Sequence, residues 1–557
     1  MLTLAASLVW PPDSVSFVSG AGFRQGQRSP MGPVRKNISH RLASNARIIE
    51  QKPRLGNSRM SKKKTLADVN FGRQIAVEEG DTLSAYFVET DNWRRIFAGD
   101  IDIIYGPKGS GKSALYSLLI ARTDQLFDQN VILLPAENLR GTPAFRDLAT
   151  DPPSSEREFV SLWKLYFLSL LVGTFEEYGF SGEKAKHLHD VLAREGLIKG
   201  KRSLTALVQA TFDYVKRAFR PAAIEGGIEL DLLTQMPKGF TGKIVFREPT
   251  GEAKAEGMES IDSLLTLADD AFRANGGYVA WILLDRLDVA FVENEELEQN
   301  ALRALFRVYL DLLGSRNLKL KIFLRTDIWN RITKEGFREA SHITRHVTIS
   351  WDRASLLNLI VRRALHNKTM LIHYGVAVEK VLESSDAQRS FFFRLFPDQV
   401  DVGPNKPTTL DWLLSRTRDG TQLNAPRELI HFLNSLRNEQ MRRYELGEPD
   451  PDGEPLFARA AFKDALPEVS EVRLAQTLYA EHPDLRESVE ELRGAKTLQS
   501  VETLTKIWGT SVEATRQIAD SLVDVGFFEK RGSGEEPEYW VPFLYRDALR
   551  MVQGAAE

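Results

Sequence analysis

One short motif constrains this chain more than any other feature. Residues 106–113 read Gly-Pro-Lys-Gly-Ser-Gly-Lys-Ser, which has the G-x-x-x-x-G-K-S spacing of a phosphate-binding loop. The apolar residues 101–105 before it are typical of a buried strand, and residues 114–121 after it follow a helical pattern. Because a strand, a glycine-rich loop and a helix in this order form a unit of parallel α/β folds, we predict such a fold here.

Each residue type in the motif has a chemical role. The glycines let the backbone curl so that successive N–H groups point at phosphate oxygens. Lys112 is predicted to reach the outer phosphates, and the Ser113 hydroxyl to bind Mg²⁺. A glycine-rich turn without a ligand is the alternative, and the chain has no N-K-x-D motif of a Ras-like GTPase. We predict ATP and Mg²⁺ as cofactors, bound by Gly106, Pro107, Lys108, Gly109, Ser110, Gly111, Lys112, Ser113 and Ala114.

An acidic residue follows a strongly apolar run in the middle of the chain. Residues 278–284 end in Asp285 and have the character of a Walker B strand, whose aspartate holds the water shell of Mg²⁺. Arg286 occupies the next position, where many ATPases carry an acid that polarises the attacking water. Asp288 is the nearest alternative acid. It serves either as that base or as a structural residue that caps a helix or pairs with Arg286, so we expect slow turnover.

Two arginines are predicted to contact the nucleotide from other parts of the chain. The apolar residues 320–324 end in Arg325, which is the position of a sensor strand beside the γ-phosphate. Pro426 suits a first helical turn, so Arg427 projects from the start of a helix toward the nucleotide. The alternatives are a surface turn for Arg325 and a surface salt bridge for Arg427. The predicted catalytic residues are therefore Lys112, Asp285, Asp288 and Arg325, and the predicted metal ligands are Ser113 and Asp285.

The length of 557 residues favours two to four domains. Continuous apolar strands that alternate with helices predict a parallel sheet covered on both faces. Near the C-terminus, two helices followed by a two-stranded hairpin are the pattern of a winged helix. We predict a disordered basic leader (1–64), a P-loop NTPase core (65–350) with a helical insertion at about 155–256, a helical lid (351–465) and a winged-helix domain (466–557).

Composition bears on the compartment. Residues 1–64 carry twelve Lys or Arg against two acids, which predicts disorder. This composition suits an organellar transit peptide, although we favour a translation start at Met60. The chain has no cysteine, which excludes disulfides and thiol catalysis and fits a reducing compartment. Since no apolar run approaches the ~18 residues of a membrane span, we expect a cytoplasmic protein without a membrane partner.

Six short stretches carry a family resemblance: residues 86–90, 109–113, 284–288, 324–327, 426–430 and 541–545. With the predicted lid and winged helix, they resemble the AAA+/STAND group, and more closely poorly characterised bacterial P-loop ATPases near the KAP and STAND NTPases. This resemblance implies a switch ATPase, in some relatives one that acts in antiviral defence. The chain differs from KAP relatives in lacking transmembrane helices, and from many AAA+ members in having Arg286 after Asp285.

Two functions remain open from the sequence. The first is a conformational switch in which ATP clamps the lid and winged helix onto the core, with homo-oligomerisation or control of a partner protein as the output. The second is a nucleic-acid-directed ATPase that uses the winged helix to read DNA. Residues 511–531 carry three bases against four acids, which disfavours this reader, since a DNA-binding face is basic. A pseudo-ATPase that binds ATP structurally is a third possibility.

Overall fold

A parallel five-stranded sheet forms the centre of the N-terminal half. The strands of this half are β1 (Ile103–Gly106), β2 (Val131–Pro135), β3 (Ile244–Val245), β4 (Glu259–Ser260), β5 (Val279–Leu284), β6 (Leu318–Arg325) and β7 (His346–Thr348). Five of them pair in the order β2-β5-β6-β1-β7, and every pairing is parallel. The predicted parallel α/β core is therefore confirmed. Strands β3 and β4 form a separate two-stranded sheet.

The computed structural model describes residues 61–137, 153, 155–198, 203–219, 242–287, 295–334, 336–532 and 537–556. The chain divides into two units, Met1–Ser58 and Arg59–Glu557, and all described residues belong to the second. Most of the predicted leader thus lies outside the described residues. Its predicted end at residue 64 is too late, because the helix Lys62–Ala67 begins earlier. The Lys62 ammonium anchors this helix by donating to the carbonyls of Pro451 (2.6 Å), Gly453 (2.7 Å) and Pro455 (2.8 Å).

Alternate residues of the central strands point to opposite faces of the sheet, as the pleat requires. In β1, Ile103 and Tyr105 join an apolar cluster on one face, whereas Ile104 joins a cluster on the other. In β5, Ile282 and Leu283 divide in the same way. Both faces are therefore buried, which explains why these strands are continuous apolar runs in the sequence.

Helices cover both faces of this sheet. The cluster that contains Ile103 also contains the buried side of Glu156–Gly173, the first helix of the predicted insertion, so this helix shares the core of the sheet. The α-helices of this half are Asp91–Phe97, Lys112–Ala121, Thr123–Phe127, Glu156–Gly173, Glu183–Arg194, Leu204–Phe219, Gly251–Ala255, Ile261–Ala274, Glu295–Leu312 and Thr326–Lys334, and the 3₁₀-helices are Ala76–Glu78, Gly80–Ala85 and Arg338–His342.

The C-terminal half is helical up to residue 490. Its α-helices are Arg353–Leu365, Lys368–Tyr374, Val378–Leu382, Ser385–Leu395, Thr409–Arg416, Pro426–Glu445, Arg459–Arg473, Tyr479–Glu481, Arg486–Glu490, Val501–Trp508, Val512–Asp524 and Phe543–Arg546. A π-helical turn, Leu474–Leu478, joins two of them, and a 3₁₀-turn, Pro483–Leu485, follows. Within the described residues, no helix has the length and apolarity needed to cross a membrane.

A second sheet lies near the C-terminus. Its strands are β8 (Lys496–Ser500), β9 (Glu529–Arg531), β10 (Glu538–Trp540) and β11 (Val552–Ala555), in the order β11-β8-β10-β9. The helices Val501–Trp508 and Val512–Asp524 stand between β8 and β9 in the chain. Ser500 begins the first of them with a capping box, and Gly509, at φ 60°, ends it.

One apolar cluster runs through the whole C-terminal half. It includes Leu359, Phe432 and Phe462 from the predicted lid and Phe527 and Tyr545 from the predicted winged helix. The two predicted domains therefore share a continuous core. Because the two parts are packed together, a movement of one part must shift the side chains of the other.

Candidate nucleotide site

The phosphate loop connects β1 to the helix Lys112–Ala121, as predicted. Gly109 and Gly111 have φ angles of 79° and 102°, values that favour glycine, and Gly111 is the residue at which the helix begins. A Cβ at Gly106 would lie 2.4 Å from the Ser110 hydroxyl oxygen, so the loop closes tightly on itself. The indole N–H of Trp351 donates to the Ser110 carbonyl at 2.8 Å and holds the loop from outside.

Lys112 lies over the loop that precedes it. Its ammonium donates to the carbonyls of Gly106 at 2.8 Å and Pro107 at 3.0 Å. Burial acts to raise the pKa of Asp327, but the Arg325 guanidinium and, more weakly, the Lys112 ammonium hold this pKa below its usual value. Lys112 and Arg325, two of the predicted catalytic residues, therefore act on one carboxylate at the carboxyl edge of the sheet.

Asp285 follows β5 directly and is buried, with 4% of its surface exposed. Burial, together with the Asp285 and Glu137 carboxylates, raises the pKa of Tyr116 well above its usual value. Tyr116 lies one helical turn after Ser113, on the helix that begins at the phosphate loop. Asp285 thus lies near the helix that carries Ser113. The hydroxyl and carboxylate oxygens of these two residues are of the kind that Mg²⁺ prefers, and their role as metal ligands stays a prediction.

Glu137 was not predicted as a site residue. It lies two residues beyond β2, which borders β5, and is 2% exposed. Burial and the Glu137 carboxylate raise the pKa of Tyr166 as well as that of Tyr116. A second acid therefore lies at the same sheet edge as Asp285. The sequence did contain a signal for Glu137. Like Asp285 after β5, it is an acidic residue that follows a buried apolar strand.

Only the first two residues after Asp285, Arg286 and Leu287, belong to the described part of this segment. Arg286 has a φ of 58°, an uncommon value for a residue with a side chain, so the chain turns sharply as it leaves β5. Asp288, the predicted alternative base, lies outside the described residues. Its two possible roles therefore stay predictions.

Arg325 is the last residue of β6 and pairs in register with Gly106, the first residue of the phosphate loop. Its guanidinium binds Asp327 through two hydrogen bonds, at 3.1 and 2.8 Å, and the Glu481 carboxylate at 2.6 Å. Glu481 also forms an ion pair with Lys108 of the loop. Glu481, which sequence reasoning missed, comes from the C-terminal half, and no local pattern identifies such a long-range partner.

Arg427 reaches the loop from the helix Pro426–Glu445. A Cβ at Gly109 would lie 3.1 Å from the Cβ of Arg427, so the start of this helix packs directly on the phosphate loop. Among the described residues, the Nε atom of Arg427 is buried and has no hydrogen-bond partner. The neighbouring Glu428 accepts a hydrogen bond from Arg473 at 2.7 Å. Arg427 therefore lies beside the loop, and its contact with a nucleotide stays a prediction.

A cavity of about 300 Å³ adjoins the loop. Its walls come from the phosphate loop at Gly109–Gly111, from the helix that carries Arg427, and from two other segments that supply apolar side chains: Leu83, Tyr86, Phe87, Val88, Ile349 and Trp351. The Arg363 guanidinium stacks over Tyr86 with 4.4 Å between its central carbon and the ring, and binds Glu79 at 2.7 and 3.1 Å. An apolar slot beside a phosphate loop suits a nucleobase.

The parallel sheet, the glycine loop and the acid at the sheet edge define an α/β protein with a phosphate-loop motif at the carboxyl edge of its sheet. No protein-family model and no curated protein sequence matches this chain. Solved structures similar to it include the Aeropyrum pernix ORC2 protein in ADPNP–ADP complexes (12% identity, TM-score 0.28, covering 85% of this chain and 94% of that one), Cdc6p from Pyrobaculum aerophilum (14%, 0.20, 52% and 70%) and Drosophila ORC bound to DNA (11%, 0.25, 93% and 95%). With TM-scores this low, these likenesses carry no argument about function.

Proposed function

We propose that this chain is an ATP-binding and ATP-hydrolysing switch protein of AAA+ type. The observation that carries the proposal is that two segments distant in sequence both border the phosphate loop. The tip of β6 with Arg325 pairs with the start of the loop, and the start of the helix with Arg427 packs on Gly109 and lines the cavity beside it. The strand order supports the AAA+ type, since β6 lies between the loop strand β1 and the strand β5 that ends in Asp285.

The residues of the site divide the chemistry among them. The loop N–H groups and the N-terminus of the helix Lys112–Ala121 bind the phosphates, and Lys112 adds a point charge at the outer phosphates. Ser113 and Asp285 would hold Mg²⁺, which neutralises charge between the β- and γ-phosphates when bound. Arg325 and Arg427 are proposed to stabilise the charge that develops on the γ-phosphate.

The base that orients the attacking water has two candidates. Asp288 is the acid predicted from the sequence, and Glu137 is the acid at the end of β2. Because Arg286 stands where many ATPases carry this acid, we propose that turnover is slow. Asp288→Asn and Glu137→Gln test the two candidates: the variant that loses the base keeps ATP affinity and loses ~10² to 10⁴ of the rate. If both retain full turnover, neither residue is the base.

The output of the switch is proposed to be homo-oligomerisation or control of a partner protein, and a role in antiviral defence stays a prediction from the resemblance. Elements 459–540 have the order of a winged helix: helix, β8, two helices and the β9–β10 hairpin. DNA reading is the less favoured alternative. The helix Val512–Asp524 exposes Glu513, Asp520 and Asp524, and Lys530 of β9 is paired with Asp520 at 2.8 Å. DNA binding requires a basic surface, and this face is not basic.

Nucleotide affinity and turnover test the proposal directly. ATP binding, followed by calorimetry, and phosphate release should be measured for the wild type and for Lys112→Ala. Lys63→Ala is the control, because it removes an exposed lysine outside the phosphate loop. Lys112→Ala should abolish ATP binding because it removes the charge at the outer phosphates. Near-wild-type affinity in Lys112→Ala would refute the assignment. Turnover stimulated strongly by duplex DNA would favour the nucleic-acid alternative.

A further inference from the structure

The Glu481 carboxylate lies between two cations of the nucleotide site. One of its oxygens pairs with the ammonium of Lys108, inside the phosphate loop, and the other accepts from the Arg325 guanidinium at 2.6 Å. All three side chains are largely shielded, with exposed fractions of 30% for Lys108, 15% for Arg325 and 16% for Glu481. This contact therefore differs from the solvated ion pairs of the protein surface, which contribute little to stability.

The chain brings Glu481 to this place by an irregular route. The helix Arg459–Arg473 continues through the π-helical turn Leu474–Leu478 into Tyr479–Glu481. Single π-turns are rare and occur frequently at functional sites. Arg473, at the other end of the turn, binds Glu428 at 2.7 Å, and Glu428 follows Arg427. The segment 473–481 thus contacts the site at two points, the sensor arginine Arg325 and the residue after Arg427.

We propose that Glu481 sets the preference of the site between ATP and ADP, because its carboxylate and a γ-phosphate compete for Lys108 and Arg325. This inference rests on the proposed ATP site. A carboxylate and a terminal phosphate present the same kind of anionic oxygens to guanidinium and ammonium donors. The phosphates that ATP and ADP share would be bound by the loop backbone, with Lys112 reaching the β-phosphate. Within the described residues, the hydrogen bonds and ion pairs of Glu481 do not include Lys112. Glu481 therefore opposes ATP and leaves ADP unaffected.

The charge state of Glu481 favours its role as a competitor for the two cations over a role as general base. Burial acts to raise the pKa of this carboxyl, but the Arg325 and Lys108 cations lower it below its usual value. A carboxylate with a lowered pKa is a weak general base. It stays ionised at neutral pH and remains a competitor for the two cations.

Competition also sets the direction of the switch. When ATP takes Lys108 and Arg325, Glu481 loses both partners, and the segment 473–481 is released from the sheet edge. When the γ-phosphate leaves as inorganic phosphate, ADP allows Glu481 to return. The sequence had suggested the opposite direction, with ATP clamping the C-terminal half onto the core.

The decisive measurement is the ratio of ATP to ADP affinity. Glu481→Gln removes the charge and keeps the shape, and Glu487→Gln makes the same change at an exposed position nearby. A charged hydrogen bond is worth about 10- to 100-fold in affinity. We expect ATP affinity to rise by about tenfold or more in Glu481→Gln, with ADP affinity unchanged and both affinities unchanged in Glu487→Gln. An unchanged ATP/ADP ratio in Glu481→Gln overturns the inference and leaves the proposed ATP site intact.

A second measurement does not depend on any variant. Hydrogen exchange of the wild-type chain over residues 474–490 should be faster with a non-hydrolysable ATP analogue than with ADP, since release exposes the backbone of this segment. Equal protection in the two states overturns the inference. A wild type that binds neither nucleotide overturns the proposed function itself, so the two failures are distinguishable.

Discussion

Arg473 offers the strongest test of how the C-terminal half is held together. Its guanidinium binds Glu428 at 2.7 Å and Asp419 at 3.4 Å, and its Nε lies 3.4 Å from the Tyr545 hydroxyl. The arginine and both acids are largely buried, with exposed side-chain fractions of 10%, 6% and 16%. Arg473→Met keeps much of the side-chain volume and leaves two carboxylates without their cation. Removal of one partner from such a buried pair costs about 3–5 kcal/mol.

The loss should depend on pH in a defined direction. Burial raises the pKa of Asp419, and the Arg473 cation opposes this rise. In Arg473→Met the folded-state pKa of Asp419 therefore rises further above its unfolded value. A raised carboxyl pKa favours the folded state when the group is protonated and costs stability as pH rises through the folded pKa. The destabilisation should thus be smaller at about pH 5 than at about pH 8, since an unperturbed Asp titrates near pH 4.

Thermal unfolding, followed by calorimetry, measures both effects. A loss of about 3–5 kcal/mol corresponds to a fall in Tm on the order of 10 °C for a cooperative unit of about 200 residues. Arg442→Met is the matched control, because Arg442 is 67% exposed and pairs with Glu439 only one helical turn away. Such a surface pair contributes about 0–1 kcal/mol. A Tm for Arg473→Met equal to that of Arg442→Met, at either pH, would refute the reasoning.

Three further predictions follow from single features. Gly109→Ala should weaken ATP binding measurably, because a Cβ at φ 79° costs about 1–2 kcal/mol and lies 3.1 Å from the Cβ of Arg427. Gly447→Ala, at φ 84° with no atom within 4 Å of the added Cβ, should leave ATP affinity unchanged in the same calorimetric titration. Asp285→Asn should make ATP affinity insensitive to EDTA, whereas a persistent Mg²⁺ dependence would contradict its role. Deletion of residues 1–59 should change neither Tm nor ATPase rate, and a fall of several degrees would show that the leader docks.

The central sheet was predictable because its signals are local. A strand buried on both faces must be a continuous apolar run, and a phosphate loop needs glycines at fixed spacing. Residues 278–284 and 320–324 were predicted from the sequence, and the strands lie at Val279–Leu284 and Leu318–Arg325. The site residues attached to these elements, Lys112, Asp285 and Arg325, follow from the same signals, since the carboxyl ends of parallel strands share one edge.

Other features of the site depend on residues distant in sequence. Glu481 lies 156 positions after Arg325, and nothing in its own segment indicates a phosphate loop. Near Tyr86 the cavity wall consists of two separate elements, the 3₁₀-helix Gly80–Ala85 and the helix Asp91–Phe97. The Thr90 hydroxyl accepts from the Trp93 N–H at 3.2 Å and caps the second helix, so the chain starts it anew there.

A tertiary contact also fixes the loop between two helices of the C-terminal half. The helix Thr409–Arg416 ends before this loop, and Pro426–Glu445 begins after it. The loop between them is pinned where the Gly420 N–H donates to the Gly526 carbonyl at 2.6 Å. A Cβ at Gly420 would lie 2.2 Å from the Phe528 carbonyl oxygen, so no larger residue fits this approach. The loop thereby fastens the predicted lid to the predicted winged helix.

This fastening limits how the proposed nucleotide signal could pass from the phosphate loop to the C-terminal half. The lid loop, the Arg473 cluster and the continuous apolar core bind residues 351–549 into one packed body. A fragment of residues 466–557 would expose the apolar side chains that pack against the lid in the full chain. DNA or partner binding should therefore be measured with the full chain. Packed cores shift between discrete arrangements and do not deform gradually. In the proposed switch, a change at Arg427 or Glu481 would therefore move this body against the sheet, because both residues contact the elements around the phosphate loop.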